Sequence, residues 1–403
     1  MEIAPAAPAS RPPSLASGGD VRSILGCVYF TLICYLSIGL PLAVLPTFVH
    51  LRMGMHAALA GLIISIQYIA TFLSRPWAGR ISDHAGARVS VLWGMAACTL
   101  SGVLLLAAGA LGFSSWLTLS ALVASRLALG VGESLGSTGA TLWGITNAGP
   151  EHTARVISFN GVATYGGLAL GAPLGVLLDQ QWGLASLGLL TTLLSAVSFL
   201  LAERKSSAPV TPGEHLPFHN LLGRIAPHGM ALALGGIGYS VLATFVTVYY
   251  ISRHWSPNGA ALCLTAFGCA FIAARLLFIE AVNRFGGFPV CLVCMSVESL
   301  GVLVIWSAGS PSMASTGAAL TGFGFSLVFP ALGVEAVKRV PLPNRGTALG
   351  VFTGFSDVSF FLVGPIAGAV IGAWGYSSAF LFALASVLSA LGIVMVLSQI
   401  EKT

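Results

Sequence analysis

The sequence predicts an all-α, polytopic membrane protein of twelve transmembrane helices arranged as two pseudo-symmetric six-helix halves, and three observations carry that prediction. The first is composition: of 403 residues, 56% are hydrophobic and only 8% charged, with a mean hydropathy of +0.90, whereas soluble domains carry roughly 25% charged residues. A chain this apolar has lipid as its solvent, where only helices or closed barrels satisfy the backbone. The second is segment length. The apolar blocks approach the ~20 residues needed to cross a bilayer core as a helix and lack the period-two alternation of the roughly half-length strands of a barrel. The third is internal repetition. Arg75 and Arg275 share an offset of 200 with Gly86 and Gly286, Asp83 falls opposite Asn283, and Gly130-x-Gly132 matches Gly322-x-Gly324 at an offset of 192, as Pro173 matches Pro365.

The elements follow in order. Residues 1–22, rich in Pro, Ala and Ser, read as a disordered tail without the features of a cleaved signal. The first bundle occupies 23–202. Helix 1 is predicted from Ile24 to Val49, bent by Pro41 and Pro46; helix 2 runs from Ala57 to Ile81 and helix 3 ends near Leu111. Helix 4 runs from Trp116 past Thr138, helix 5 from Val156 to Leu178, and helix 6 ends near Ala202. A polar stretch at 203–225 is the predicted linker. The second bundle fills 226–399, with helices at 226–251, 258–281, 288–308, 313–337, 346–372 and 376–398.

The net charge of +5 is distributed by loop, not gathered into a nucleic-acid patch. Arg22, Arg80, Arg88, Arg155, Arg204, Lys205, Arg224, Arg284, Lys338, Arg339, Arg345 and Lys402 fall in alternate loops or at the termini, and the opposite loops hold only Arg52 and Arg253. That asymmetry places both termini in the cytoplasm. The seven cysteines lie in apolar segments, and the eight histidines show no metal-ligand spacing, so no metal or cofactor is expected. There is no Walker-type phosphate loop and no arguable catalytic triad. The chain reads as not an enzyme.

The stretch Gly79-Arg80-Ile81-Ser82-Asp83-His84-Ala85-Gly86-Ala87-Arg88 resembles the loop signature of the major facilitator superfamily. Gly79, Ile81, Asp83, Gly86 and Arg88 match it, while His84 and Ala87 stand where basic residues are usual. The resemblance covers about 22–400. Within it, YLSIGLPLAVLP at 35–46, LSRPWAGRISD at 73–83, STGATLWG at 137–144 and GFSLVFPALGVEAVK at 324–338 are similar to bacterial inner-membrane permeases of the arabinose-efflux and multidrug-efflux type. The resemblance implies a multi-pass protein of the bacterial cytoplasmic membrane that works as a monomer on a small-molecule substrate.

Four charges stand deep in predicted helices. Arg126 in helix 4 costs at least ~2.5–3.5 kcal/mol on insertion scales, and Glu133 on nearly the same face is about 10 Å further along the axis. Arg126 therefore needs a partner on another helix, a water-filled cavity or an anionic substrate group. Glu133 and Asp357 are the candidate proton carriers, because desolvation brings a carboxylate's protonation toward neutral pH; Glu298 in helix 9 is expected to be structural. The resemblance assigns Arg126 to proton coupling as well. It also implies a gating latch at Asp83, with Gly79, Gly86, Arg75 and Arg88 around it, and a weaker counterpart at Asn283. By the family's architecture, helices 1, 4, 7 and 10 line the cavity, so Tyr35, Arg126, Tyr239, Thr244, Phe325 and Phe329 are candidate substrate contacts, with Gln67 of helix 2 nearby.

Small-residue stripes at Gly167, Gly171 and Gly175, interrupted by Pro173, and at Gly364, Gly368 and Gly372 are expected to pack helices closely. The first stripe resembles the superfamily's antiporter motif. These readings converge on a secondary active transporter exporting a small amphipathic compound (drug, sugar or metabolite) in exchange for protons. The alternatives are a symporter or facilitator importing a sugar or organic acid and, in another class, a non-transporting receptor or scaffold.

Overall fold

The computed structural model describes residues 19–401, apart from 43, 56, 111–114, 209, 211, 212, 214 and 215. Most of the predicted tail, five linker residues including His215, and Lys402 thus lie outside the described residues. Twelve long helices follow one another: α1 (Gly19–Leu42), α2 (Ala57–His84), α3 (Ala87–Ala110), α4 (Ser115–Ala148), α5 (Thr153–Trp182) and α6 (Leu184–Arg204), then α7 (Phe218–Ser252), α8 (Pro257–Leu277), α9 (Gly287–Trp306), α10 (Pro311–Lys338), α11 (Arg345–Trp374) and α12 (Ser378–Ile400). Ten of them are apolar and long enough to cross a membrane; the other two, α2 with 28 residues and α4 with 34, carry the buried Arg75, Asp83, Arg126 and Glu133. No strand occurs among the described residues.

Proline decides two departures from the predicted boundaries. Helix 1 was expected to reach Val49, but α1 stops at Leu42, one residue past Pro41, and a helical turn at Val44–Thr47 and a π-turn at Phe48–Arg52 complete the crossing. In α10 the helix breaks at Leu327, where φ is −99° and ψ is 0°. Pro330 has no N–H to offer the Ser326 carbonyl one turn back, which leaves that acceptor for another partner. α7 starts at Phe218, eight residues before the predicted 226, because Pro217 ends the extended linker and leads into the helix.

Large apolar side chains are left exposed on the outer surface, among them Leu100, Leu193, Leu262 and Val396. In water such a surface would aggregate; in lipid it is the solvated one. Trp116, Trp182 and Trp374, all exposed, sit at the ends of α4, α5 and α11 opposite to the chain termini, where an aromatic belt marks the membrane boundary.

The halves pack mainly within themselves, α3 against α4 and α6 and α1 against α5 in the first, α10 against α8 and α9 and α7 against α11 and α12 in the second. They meet along two seams, α2 with α11 and α5 with α8 and α10. At the end that carries the termini an apolar cluster including Ile145, Val156, Ile157, Val337 and Leu349 joins them.

Candidate functional site

The site is a chain of polar groups crossing the middle of the bundle. Arg126 of α4, 1% exposed, donates from Nη1 to Gln67 Oε1 of α2 at 2.9 Å. Gln67 Nε2 in turn donates to Glu133 Oε2 at 3.2 Å, and Thr71 Oγ1 lies 3.0 Å from the same oxygen. Glu133 Oε1 is 3.6 Å from Arg75 Nη2, and Arg75 Nε donates to Asp357 Oδ2 across the seam at 2.9 Å. Ser137 fixes the middle of the chain by accepting from Arg75 Nη1 at 3.0 Å and donating to the Glu133 carbonyl at 2.7 Å.

Position follows from helix periodicity. Gln67, Thr71 and Arg75 recur every four residues on one face of α2, and Arg126, Glu133 and Ser137 are seven and four apart on α4. Gly130 lets the two helices approach, since a Cβ there would lie 2.4 Å from the Gln67 carbonyl oxygen. Arg75 is 2% exposed, Glu133 3% and Asp357 7%; in that surrounding each charge depends on its partners far more than at a surface. Arg126 has no charged partner, and its Nε and Nη2 make no hydrogen bond among the described residues.

Next to this chain lies a cavity of about 110 Å³ between the halves, whose walls include Tyr35, Arg75, Asp357, Arg275, Phe325 and Phe329. It is too small for the organic ligands that pockets of about 300–1,000 Å³ accept, so cargo requires the halves to move. Tyr239 stands behind it in an aromatic group, stacked on Phe325 at 5.9 Å and edge-on to Tyr165 at 5.9 Å. A larger apolar groove of about 820 Å³ runs between α2, α7, α11 and α12, with Phe72, Phe355 and Leu362 in its walls and Arg75 reaching it.

Asp83 closes the same seam nearer the termini. Its two carboxylate oxygens accept from the N–H groups of Gly346 and Thr347, each at 2.7 Å, and Thr347 Oγ1 donates at 2.7 Å. These N–H groups are the unsatisfied donors of the first turn of α11. The helix's own N-cap residue, Asn344, makes no side-chain cap bond and instead accepts from the linker amide of Leu216. One half thus caps a helix of the other, with the dipole favouring the charge. Gly79 makes the crossing possible, since a Cβ there would lie 2.4 Å from Thr347 Cα, and Gly86 holds φ +98° in the turn that follows.

The second seam has different chemistry. Arg275, the repeat mate of Arg75, is 2% exposed and pairs with no acid: Nε donates to the Ser326 carbonyl freed by Pro330 at 2.8 Å, and Nη1 to the Ser158 carbonyl of α5 at 3.1 Å. Its guanidinium also lies over the Phe271 ring at 4.8 Å. At the seam's end Arg155 of α5 binds Glu280, and Asn283 donates to the same carboxylate at 3.3 Å.

The family comparisons agree with this geometry. The profile described as Major Facilitator Superfamily matches residues 28–226 and 229–402. The chain belongs to the major facilitator superfamily. An uncharacterized MFS-type transporter of Pseudomonas aeruginosa (strain UCBPP-PA14) is 51% identical over 399 residues, covering 99% of this chain and 98% of the relative. An uncharacterized MFS-type transporter of Burkholderia mallei (strain SAVP1) is 51% identical over 378 residues, covering 93% and 92%. Among solved structures, the human organic anion transporter MFSD10 superposes with a TM-score of 0.78 at 18% identity, covering 95% of this chain and all of that one. The Escherichia coli fucose:proton symporter gives 0.73 at 18%, covering 93% and 98%. At such identity these structures speak for the fold alone; the family and the 51% identical relatives make this chain a membrane transporter and not an enzyme.

The structure moves several sequence-predicted residues. Arg75, expected beside Asp83, lies two turns away and faces Glu133 and Asp357. Arg88 is not at the latch either: its Nε donates to the Ala202 carbonyl at 3.1 Å and its Nη2 binds the Glu203 carbonyl, so it caps the end of α6. Arg126 meets an amide, not an acid. Thr244 is exposed and does not line the small cavity. Gly167, Gly171 and Gly175 pack on α1, with a Cβ at Gly175 only 1.8 Å from the Leu40 carbonyl oxygen, whereas Gly364, Gly368 and Gly372 have nothing within 4 Å. The reason is that α11 leans on α7 through its outward-bulging side chains, such as Phe355 and Phe360, not through its glycines. Sequence reasoning passed over Thr71, Ser137 and Glu280. The four-residue spacing from Gln67 to Arg75 was the available signal for the first.

Proposed function

We propose that this transporter is a proton-coupled antiporter that exports a small amphipathic organic compound by alternating access, with the proton as its only coupling ion. It sits in the bacterial cytoplasmic membrane with both termini in the cytoplasm and works as a monomer. The reading is that of the arabinose-efflux and multidrug-efflux type of permease. The observation that carries it is a single guanidinium, Arg75, shared between Asp357 of the opposite half at 2.9 Å and Glu133 of its own half at 3.6 Å.

A proton delivered to Asp357 cancels the charge that holds Arg75 across the seam. Glu133 keeps Arg75 compensated within the first half, so the seam can part without stranding a buried cation. Gln67 links Glu133 to Arg126, whose two unpaired nitrogens offer donors to a polar or anionic group of the cargo. Substrate arrival at Arg126 and proton arrival at Glu133 thereby act on one hydrogen-bonded chain. Asp83 releases the α11 N-terminus when the terminus-bearing side opens. The apolar groove ending at Arg75 and the aromatic wall of Tyr239, Phe325 and Phe329 suit an amphipathic molecule. Export is favoured by the α5 stripe around Pro173, which packs tightly on α1.

The test uses purified protein in proteoliposomes under an imposed pH gradient, with internal pH followed by a trapped dye while organic anions, cations and sugars are presented. A compound that releases protons through the wild type but not through Glu133→Gln or Asp357→Asn is the expected result. Transport that proceeds without proton movement in wild type and variants alike would overturn the coupling. Symport, the activity named for the fucose:proton and proton:xylose structures, is distinguished by substrate and protons moving in the same direction.

A further inference from the structure

A pocket of about 340 Å³ at the terminus-bearing end of the second half is not used by the transport reading. It lies between the start of α7, the end of α10 and the end of α12, and is lined by Arg224, Pro227, His228, Arg339, Leu397 and Ile400. His228 is 2% exposed, and neither ring nitrogen has a hydrogen-bond partner of regular geometry among the described residues. A polar ring buried in this way carries a desolvation cost that a ligand can relieve. Arg224 Nη1 reaches the Arg339 carbonyl at 3.3 Å, so the two guanidiniums flank one opening. The acids nearby are accounted for: Glu335 takes Lys338 and the Gly287 N–H, and Glu401 lies 3.6 Å from Arg339 in a pair more than a third exposed on both sides.

The repeat shows what is special here. The corresponding pocket of the first half holds Arg22, Asn147 and Lys205, but Lys205 already sits over the Phe30 and Trp143 rings, at 5.9 and 5.5 Å. Its charge is met by aromatic faces. In the second half two forks and an imidazole converge, and of the two acids near them among the described residues Glu335 is already held by Lys338 and the Gly287 N–H and Glu401 is solvent-screened.

We propose that this pocket binds the phosphate of an anionic phospholipid. Guanidinium forks match phosphate oxygens bidentately, an imidazole N–H adds a third donor, and basic pockets between transmembrane helices near the membrane surface take anionic headgroups. Free phosphate offers the same oxygens. The lipid is the occupant because Leu397 and Ile400 of α12 form the remaining wall and Ile400 is exposed on the lipid side, giving the acyl chains a path. Glu401 competes with the phosphate for Arg339.

The experiment places the full-length protein in phosphatidylcholine nanodiscs with and without phosphatidylglycerol, and reads retained phosphatidylglycerol by native mass spectrometry alongside thermal stability. Wild type should retain phosphatidylglycerol and melt higher with it. The Arg224→Gln/Arg339→Gln variant should lose retention about thirtyfold, the equivalent of two surface cations, and Glu401→Gln should gain it. Unchanged retention in the double variant, or a stability shift reproduced by inorganic phosphate or glycerol phosphate alone, overturns the lipid site. If the double variant does not fold, Glu401→Gln decides: no gain in retention refutes the proposal.

Discussion

The two seams between the halves begin from equivalent arginines and end in different chemistry. Arg75 on α2 meets a carboxylate across its seam, whereas Arg275 on α8 meets backbone carbonyls, that of Ser158 across the other seam and that of Ser326 within its own half. Offset by 192 residues from Asp357 stands Tyr165, and from Glu133 stands Phe325; the second seam has aromatics where the first has acids, and both pack on Phe271, over which Arg275 lies. A backbone carbonyl carries no titratable proton, whereas a carboxylate is an ionisable group. Duplication therefore left two similar seams, of which the first pairs its arginine with ionisable acids and the second with backbone carbonyls.

The largest expected break of this comparison is Asp357→Ala, which removes the nearer of the two acids facing buried Arg75 and should destabilise the protein by about 3 kcal/mol, the low end for a broken buried pair because Glu133 still compensates the cation. Arg275→Met removes a charge together with its bonds and should cost about 1–3 kcal/mol. Thermal unfolding in detergent compares the two, and equal losses would erase the distinction between the seams. Next comes the latch. Asp83→Ala leaves the Gly346 and Thr347 amides uncapped and should cost about 1.5–3 kcal/mol, while Asn283→Ala, removing one amide from a surface carboxylate, should stay within about 0.5 kcal/mol.

The glycine stripes sharpen the contrast at a smaller scale. Gly175→Ala forces a methyl into the Leu40 carbonyl and should destabilise by about 1–3 kcal/mol, whereas Gly368→Ala meets nothing and should stabilise the helix by about 0.5–1 kcal/mol. The smallest effect belongs to the exposed Arg155–Glu280 pair. Partial burial alone would raise the Glu280 carboxyl, but hydrogen bonds from Arg155 and Asn283 and the Arg155 charge outweigh it, and the group is held below its ordinary value. With a depressed folded value, the stabilisation is complete above the unfolded value of about 4.3 and fades as pH falls through the folded one. A pair this exposed contributes at most about 1 kcal/mol, so the difference in melting temperature between wild type and Glu280→Gln should shrink only in acid.

Much of the molecule was legible because lipid imposes one rule on every helix: about twenty apolar residues with the charges outside. Composition and segment length thus reported the class, and the offsets of 200 and 192 reported the repeat. The seven-residue step from Arg126 to Glu133 also showed that those two cannot pair directly. Partners on other helices were not legible. Arg75 and Arg88 sit in one sequence motif with Asp83, and motif proximity suggested one cluster; rotation about α2 sends Arg75 to the opposite half, and Arg88 turns back to cap α6. The α11 glycines repeat the four-residue spacing of the α5 stripe, yet at the offset of 192 the α5 glycines face Ser359, Val363 and Ala367, and spacing says only that close approach is permitted.

By itself the sequence determined the solvent, the number of crossings, the internal repeat and the identities of the buried charges, since each is a local property of composition and period. Only the tertiary structure decided that Asp357 belongs to Arg75, that Asp83 caps a helix of the other half, and that Arg275 rests on a carbonyl freed by Pro330. Such pairings depend on helix rotation and crossing within the folded bundle, across separations of 282 residues in the first case, and no local pattern encodes them.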